Sequence, residues 1–454
     1  MQYQKIKIGK SFYKTFFSMY IVLVLQNVVT LSVNLADNMM LGAYSESALS
    51  GVAAVNQIQF VYQQLLGALG DGLVVFCSQY WGKRQIEPMK KIAATAMHTG
   101  SCICILLFGL VSFFPNQVLG LFTTDRVIIT EGVRYLNIIR FTYPFFAVTQ
   151  ILLATLRSVE IVKIAFMLSI QTFFINCGIN YVLIYGHFGA PEMGTAGAAI
   201  GTLVARIVEC IVLICYVAKK EKILKIRPQD YLKSDKVLRR DYLKLTAPIA
   251  VIQGLWGLNT AMQTVILGHM TSAAIAANSV ASTLFLLVKS IPSGAASTAS
   301  VLIGKKIGEG DLNVVKNYAV VLQKMFVIIG LVSGTLLFFL RGPVLSLYDL
   351  SDTTREMANS FLLVLCVVAV TMSYQMPTNI GIVRGGGSAM FVVKVDLISI
   401  WCIVIPLSFF MAFVVKASPV VVVCCLNADQ VFKCIPAFIK VNYGNWIKKL
   451  TRDA

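Results

Sequence analysis

Residues 14–41 read KTFFSMYIVLVLQNVVTLSVNLADNMML. After its lysine the run stays apolar for longer than the about 20 residues a helix needs to cross a hydrocarbon core of about 30 Å. It closes on one carboxylate, Asp37, with Asn34 three residues before it and Asn38 beside it. Lys5, Lys7, Lys10 and Lys14 ahead of the run give it the look of a signal peptide. No small-residue cleavage site follows, and further apolar runs do, so the segment reads as a first transmembrane helix that is retained.

The rest of the chain repeats that pattern. Of its 454 residues 57% are hydrophobic and only 13% are charged, with a mean hydropathy of +0.76. A water-facing surface calls for about 25% charged residues, so lipid must be the solvent for much of this chain. Hydropathy and helix breakers predict twelve spans, at 14–41, 48–80, 92–114, 129–156, 162–186, 194–218, 242–268, 272–302, 317–340, 355–382, 390–415 and 418–439. The one extended polar linker runs from Lys219 to Lys244 and divides six spans from six. The expected domains are a lobe over 1–218, a basic linker over 219–241 and a lobe over 242–454. The expected fold is an all-α polytopic membrane protein, with twelve transmembrane helices in two pseudo-symmetric six-helix lobes.

The net charge of +18 does not point to nucleic acid, whose binders gather their charge in a hydrophilic domain. Here the bases sit in short segments between apolar runs and set topology. Alternate loops carry Lys83, Arg84, Lys90 and Lys91; Arg157 and Lys163; the linker; Lys305, Lys306 and Lys316; and Arg384 and Lys394. The tail adds Lys433, Lys440, Lys448, Lys449 and Arg452. The opposite loops balance Arg126 and Arg134 with Asp125 and Glu131, so both termini are expected in the cytoplasm. Trp446 with the tail lysines suits an interfacial anchor to anionic lipid.

The halves also echo one another. Met40-Leu41-Gly42 parallels Ile266-Leu267-Gly268, Tyr80-Trp81-Gly82-Lys83 parallels Leu302-Ile303-Gly304-Lys305, and Leu156-Arg157 parallels Val383-Arg384. Six spans are an even number, so the copies share one orientation and their axis lies along the membrane normal, as in parallel-repeat transporters. Two such bundles enclose a cavity suited to alternating access; a purely structural duplication is the other reading.

These stretches resemble the multidrug and toxic compound extrusion (MATE) family, nearest its bacterial DinF-like branch. The similarity is carried, in order, by Asp37–Asn56 (DNMMLGAYSESALSGVAAVN), Ser78–Lys83 (SQYWGK), Asn176–Gly186 (NCGINYVLIYG), Gly194–Thr202 (GTAGAAIGT), Leu255–Asn278, Val383–Gly387 (VRGGG) and Asp429–Leu450. The resemblance implies a V-shaped pair of lobes and a secondary active antiporter of the bacterial inner (plasma) membrane. It would export small, often cationic or amphipathic drugs or toxic metabolites in exchange for Na+ or H+. A monomer in the lipid bilayer is expected, with no nucleic-acid partner, no enzymatic activity and no cofactor besides the coupling ion.

An ionisable side chain inside a span costs about 2.5–3.5 kcal/mol on insertion scales, so each such residue needs a partner, water or a function. Asp37 is either a helix-end carboxylate solvated at the interface or a group that binds a proton, a sodium ion or a cationic drug in mutually exclusive states. The resemblance adds Asn176, Asn180 and Thr202 to it. Asn176 and Asn180 are four apart and share a helix face, and their oxygens either coordinate sodium or join helices. Many relatives carry Asp where this chain has Asn180, which leaves Asp37 the sole acid of that cluster. Some branches place an acid in span seven, where this chain has Trp256; its ring either packs or faces a cation. Asn56, Gln57, Gln63, Gln64 and Asp71 recur on one face of span two, and Asp71 is a site or a structural ion pair. Lys289, deep in span eight, must face water or an acid. Asn34, Gln57, Gln64, Asp71, Trp256 and Lys289 are the candidate substrate-cavity residues. Asp396 is expected to pair with a base such as Arg384 or Lys394, and Arg206 with Glu209. Pro144, Pro248, Pro292, Pro377 and Pro406 fall within spans, where proline kinks or is accommodated.

Eleven cysteines come without His or acids at metal-ligand spacing, so no metal is expected beyond sodium at Asp37. There is no Walker lysine loop, no HExxH and no dinucleotide fingerprint. The rival reading is a lipid or lipid-linked oligosaccharide flippase of the same superfamily, which would display cavity cations for pyrophosphate; these spans offer mainly Lys289.

Overall fold

The computed structural model describes residues 9–232, 235–346, 348 and 350–452; Lys5 and Lys7 lie outside them. Lipid offers no partner to a backbone N–H or C=O, so an apolar spanning segment must satisfy its own, and the α-helix does so. Every regular element among the described residues is helical. The chain runs through α1 (Lys10–Tyr44), α2 (Glu46–Gly82), α3 (Ile86–Phe113), the short α4 (Pro115–Gly120), α5 (Arg126–Ile139), α6 (Thr142–Ser158), α7 (Lys163–Tyr185) and α8 (Thr195–Lys219). Then follow α9 (Lys236–Gly268), α10 (Ser272–Glu309), α11 (Leu312–Leu345), α12 (Asp352–Met376), α13 (Ala389–Leu397), α14 (Ile405–Phe409), α15 (Pro419–Leu426), α16 (Ala428–Phe432) and α17 (Cys434–Asn442).

Nine helical stretches among the described residues are long and apolar enough to cross a membrane. Two bent pairs, α5 with α6 at 55° and α15 with α16–α17 at 40°, bring the number to eleven. The twelfth long helix is α9, whose apolar stretch is diluted by Gln253, Asn259 and Gln263. The twelve expected spans are all met by these helices. Proline acts in two ways. Pro377 heads a π-helical stretch, Pro377–Arg384, and Pro406 lies between two more, Ile398–Val404 and Phe410–Val414; a missing N–H is readily absorbed where the ladder is already rewound. Pro144 stands just after the 55° break. Pro248 and Pro292, in contrast, lie inside α9 and α10, which run on through them.

The chain forms two compact units. The first comprises Leu25–Cys77 and Gln85–Thr246, the second Met1–Val24, Ser78–Arg84 and Ala247–Ala454. In the first unit α7 packs along α8, α5 and α6 lean on α8, and α3 lies on α6. The linker is docked there: Asp230 pairs with Lys90 at 3.1 Å, and Glu221 accepts the amides of Ile223, Leu224 and Lys225. Asp235 caps α9 by accepting the Val237 and Leu238 amides, bonds that hold its carboxyl below the usual carboxylate range. In the second unit α11 packs along α12, and α10 against both. Phe12 and Phe16 of α1 join Ile303, Phe326 and Ile382 in its core.

The repeat recurs in how the helices touch. A Cβ on Gly72 of α2 would overlap Thr246 in the first unit; one on Gly294, at the same spacing before its motif glycine, would meet Val24 Cγ2 at 2.6 Å in the second. At the end of α2 the two motifs meet each other within the second unit. A Cβ on Gly304 would overlap Ser78 Oγ, and one on Gly308 the Gln79 carbonyl. Only glycine allows backbones this close.

The tail departs from the lipid-anchor expectation. Trp446 is 1% exposed and sits in the core of the second unit. Its Nε1 donates to the Val441 carbonyl at 2.8 Å. Gly386, from the triple glycine of VRGGG, leaves the space its ring fills, since a Cβ there would overlap the indole. Gln79 then holds the tail backbone: Nε2 donates to the Lys448 carbonyl at 3.1 Å, and Oε1 accepts from the Leu450 amide at 2.8 Å. A tryptophan with a vacant pocket and a partner for its N–H buries in protein rather than at an interface; Lys448 and Lys449 stay exposed. Trp446→Ala should lower unfolding stability by about 3–5 kcal/mol, read by thermal denaturation in detergent, with Gly386→Val acting in the same direction. In a variant keeping only Trp446, brominated lipid should leave its fluorescence unquenched; strong quenching would restore the anchor.

Candidate functional site

In the first unit, three helices bring together the polar residues expected around Asp37. Asp37 lies two turns from the end of α1, Asn176 and Asn180 lie one turn apart on α7, and Thr202 lies on α8. Asn180 Nδ2 donates to Asp37 Oδ1 at 2.7 Å and reaches Asn176 Oδ1 at 3.4 Å, while Asn176 Nδ2 donates to Thr202 Oγ1 at 3.1 Å. Gly201 makes the approach of α7 and α8 possible, because a Cβ there would overlap Asn180 Oδ1. That oxygen is buried without a hydrogen-bond partner among the described residues.

Asp37, Asn34, Asn176 and Thr202 line a cavity of about 50 Å³ that Tyr135 and Arg206 also border. A water in the liquid takes about 30 Å³, so this space is large enough for an ion. Arg206 makes the expected pair with Glu209, at 2.7 Å, and its guanidinium lies 5.1 Å from the Phe146 ring centre. Its charge reaches Asp37 through space, yet among the described residues Asp37 has no ion pair of its own.

The remaining candidates on α2 are dispersed. Gln57 and Gln64 do not border this cavity; their neighbours Asn56, Gln59 and Gln63 do. Asp71 stands 3.5 Å from Arg157, both half-buried.

Trp256 and Lys289 meet in the second unit, with Lys289 Nζ 3.9 Å from the Trp256 ring centre. They line a larger cavity, about 290 Å³, with Asn259, Gln375, Asn379 and Asp396, close to the about 300–1,000 Å³ usual for small-molecule sites. One wall meets the expectation that Asp396 pairs with a base and corrects which base it is. Asp396 pairs with neither Arg384 nor Lys394 but with Lys433, at 2.7 Å, and Lys433 also holds Asp429 at 2.8 Å. Lys433, counted among the bases of the tail, is 3% exposed. A buried cation needs partners, and Lys433, between α16 and α17, lies between two carboxylates. The Asp429–Lys433 contact was legible as an i,i+4 pair; Asp396, from α13, carries no such signal. Arg206, Tyr135, Asn259 and Asn379 were likewise missed as cavity residues, since only packing decides which helix face turns inward.

The family model MatE matches this chain in two stretches, residues 23–182 and 248–410, one in each half of the sequence. A Listeria monocytogenes protein named "Probable multidrug resistance protein NorM" is 24% identical over 409 residues, covering 88% of each chain. A Streptococcus pneumoniae protein of the same name is 23% identical over 398 residues, covering 87% of this chain and 86% of that one. The crystal structure of the eukaryotic MATE transporter AtDTX14 has the same fold, with a TM-score of 0.84, 17% identity and coverage of 96% and 97%. A MATE in the straight conformation gives a TM-score of 0.86 at 15% identity, covering 94% of this chain and 95% of that one. With both halves matched by the one family model, the chain belongs to the multidrug and toxic compound extrusion family of transporters.

Proposed function

We propose that this transporter is a secondary active exporter of small, often cationic or amphipathic compounds, driven by inward flow of Na+ or H+ through the Asp37 cluster. The observation that carries the reading is a carboxylate in an ion-sized space, held at 2.7 Å by one amide and ion-paired to no base among the described residues. Taking an ionised carboxylate out of water costs several kcal/mol unless something neutralises it. A driving ion and a cationic cargo therefore compete for one charge, and that exclusivity couples their movements. The names of the NorM relatives support drugs as cargo. The alternating basic loops support both termini on the cytoplasmic side of a bacterial inner membrane.

Asn180 distinguishes the two driving ions. Its NH2 faces Asp37 and its oxygen faces Gly201. Sodium at Asp37 requires that amide to turn, so that Oδ1 joins the carboxylate and the Thr202 hydroxyl as a hard ligand. A proton requires no turn, because the carbonyl oxygen of a protonated carboxyl still accepts an N–H.

In proteoliposomes, Asp37→Asn should reduce gradient-driven uptake of a cationic dye by about tenfold or more without altering passive leak; undiminished transport would end the coupling role. Gly201→Ala removes no polar atom but displaces Asn180, and should also slow transport, by about threefold or more; an unchanged rate would detach Asn180 from the cycle. Transport on a sodium gradient alone, at equal pH, identifies Na+ as the driver; transport only on a pH gradient identifies H+.

A further inference from the structure

The cavity of the second unit has two electrical poles. Lys289 forms the positive one. It lies over the Trp256 ring and has no hydrogen bond or ion pair to any described residue; Asp429 acts on it only through space. An ammonium in such a place lacks the acceptor that a buried cation requires.

The negative pole is built by relay. One lysine, Lys433, stands between Asp396 and Asp429, which leaves one negative charge over. Three amides lead away from it, each donating toward the carboxylates. Gln430 Nε2 donates to Asp429 Oδ2 at 2.7 Å, Gln375 Nε2 to Gln430 Oε1 at 2.7 Å, and Asn379 Nδ2 to Gln375 Oε1 at 3.2 Å. The donation runs in one direction because the charge at its end orients every dipole, and such chains polarise their members. At the head of the chain Asn379 Oδ1 remains, 3% exposed as a residue and without a partner among the described residues. Asn259 Oδ1, on α9, is likewise buried and without a partner among the described residues. Both residues line the cavity, and Leu255, Phe285, Met372 and Trp401 supply its apolar wall. A buried amide oxygen left unsatisfied costs about 1–3 kcal/mol, so a ligand that brings a donor to it is favoured.

We propose that this cavity binds a small zwitterion with an apolar body, its carboxylate on Lys289 and its amine N–H on Asn379 Oδ1. The proposal deepens the exporter reading by naming a class of cargo, and it rests on that reading only for calling the ligand a cargo. Binding needs no gradient, so it is measured apart from coupling at Asp37.

The test uses the full chain, purified in nanodiscs, and fluorescence anisotropy of two matched dyes. Rhodamine 110 is a zwitterion; its methyl ester keeps the cationic body and lacks the carboxylate. The wild-type chain should bind the zwitterion about tenfold or more tighter than the ester, the range for a charge-assisted hydrogen bond. Lys289→Gln should abolish that preference by weakening the zwitterion alone, and Lys289→Arg should keep it, which separates loss of charge from loss of fold. Asn379→Leu should weaken both dyes. Equal binding of the two dyes to the wild-type chain, a preference that survives Lys289→Gln, or no binding of either dye would overturn the proposal. Lost gradient-driven transport with intact zwitterion binding would locate a failure in the coupling step instead.

Discussion

The rest of this structure follows from the cost of placing charge where water is scarce. Inside helices that face lipid, an ionised group is tolerated only when protein dipoles, an opposite charge or a mobile ion answers it. The two units meet that requirement differently. In the first, Asp37 has amide hydrogen bonding and the distant field of Arg206, and no direct counter-charge among the described residues. In the second, Asp396 and Asp429 are closed around Lys433 within 2.8 Å. The unanswered carboxylate is the one open to an ion; the answered pair is an internal fixture that polarises its surroundings.

Close packing makes both arrangements hold. Gly201 brings α8 against Asn180, so that the amide cannot retreat from Asp37. Gly304 and Gly308 press α10 onto the end of α2, and Gly386 opens the pocket for Trp446. These glycines sit where a methyl group would collide with a named neighbour, and they account for short stretches that composition alone would pass over as flexible. Gln79 shows the same economy with polar atoms. Buried at the end of α2, it uses both ends of its amide on the backbone of the tail. The tail is thereby part of the second unit's fold.

The duplicated sequence therefore supports two different chemistries. The repeats match in helix order, in the glycines at the ends of α2 and along α10, and in the two stretches matched by one family model. Their polar interiors do not match. One presents a single acid in a space of about 50 Å³, the other a lysine, a shared ion pair and a relay of amides around about 290 Å³. Duplication preserves the packing surfaces, which tolerate little change, and leaves cavity-lining positions free to diverge.

Read alone, the residues determine the class, the twelve helices and the repeat, while the partners of Asp37 follow from the family resemblance. Long apolar runs in lipid have one backbone solution, and Asn176 and Asn180 share a helix face by periodicity alone. The Arg206–Glu209 pair and the Asp429–Lys433 spacing are local in the same sense. What only the tertiary structure decided is which distant groups meet. Asp396 finds Lys433 rather than Arg384 or Lys394, and Trp446 turns into protein rather than lipid. The reason is that sequence spacing sets the direction of a side chain about its own helix axis, whereas its partner is set by how neighbouring helices rotate and cross, which depends on small residues far away in the chain.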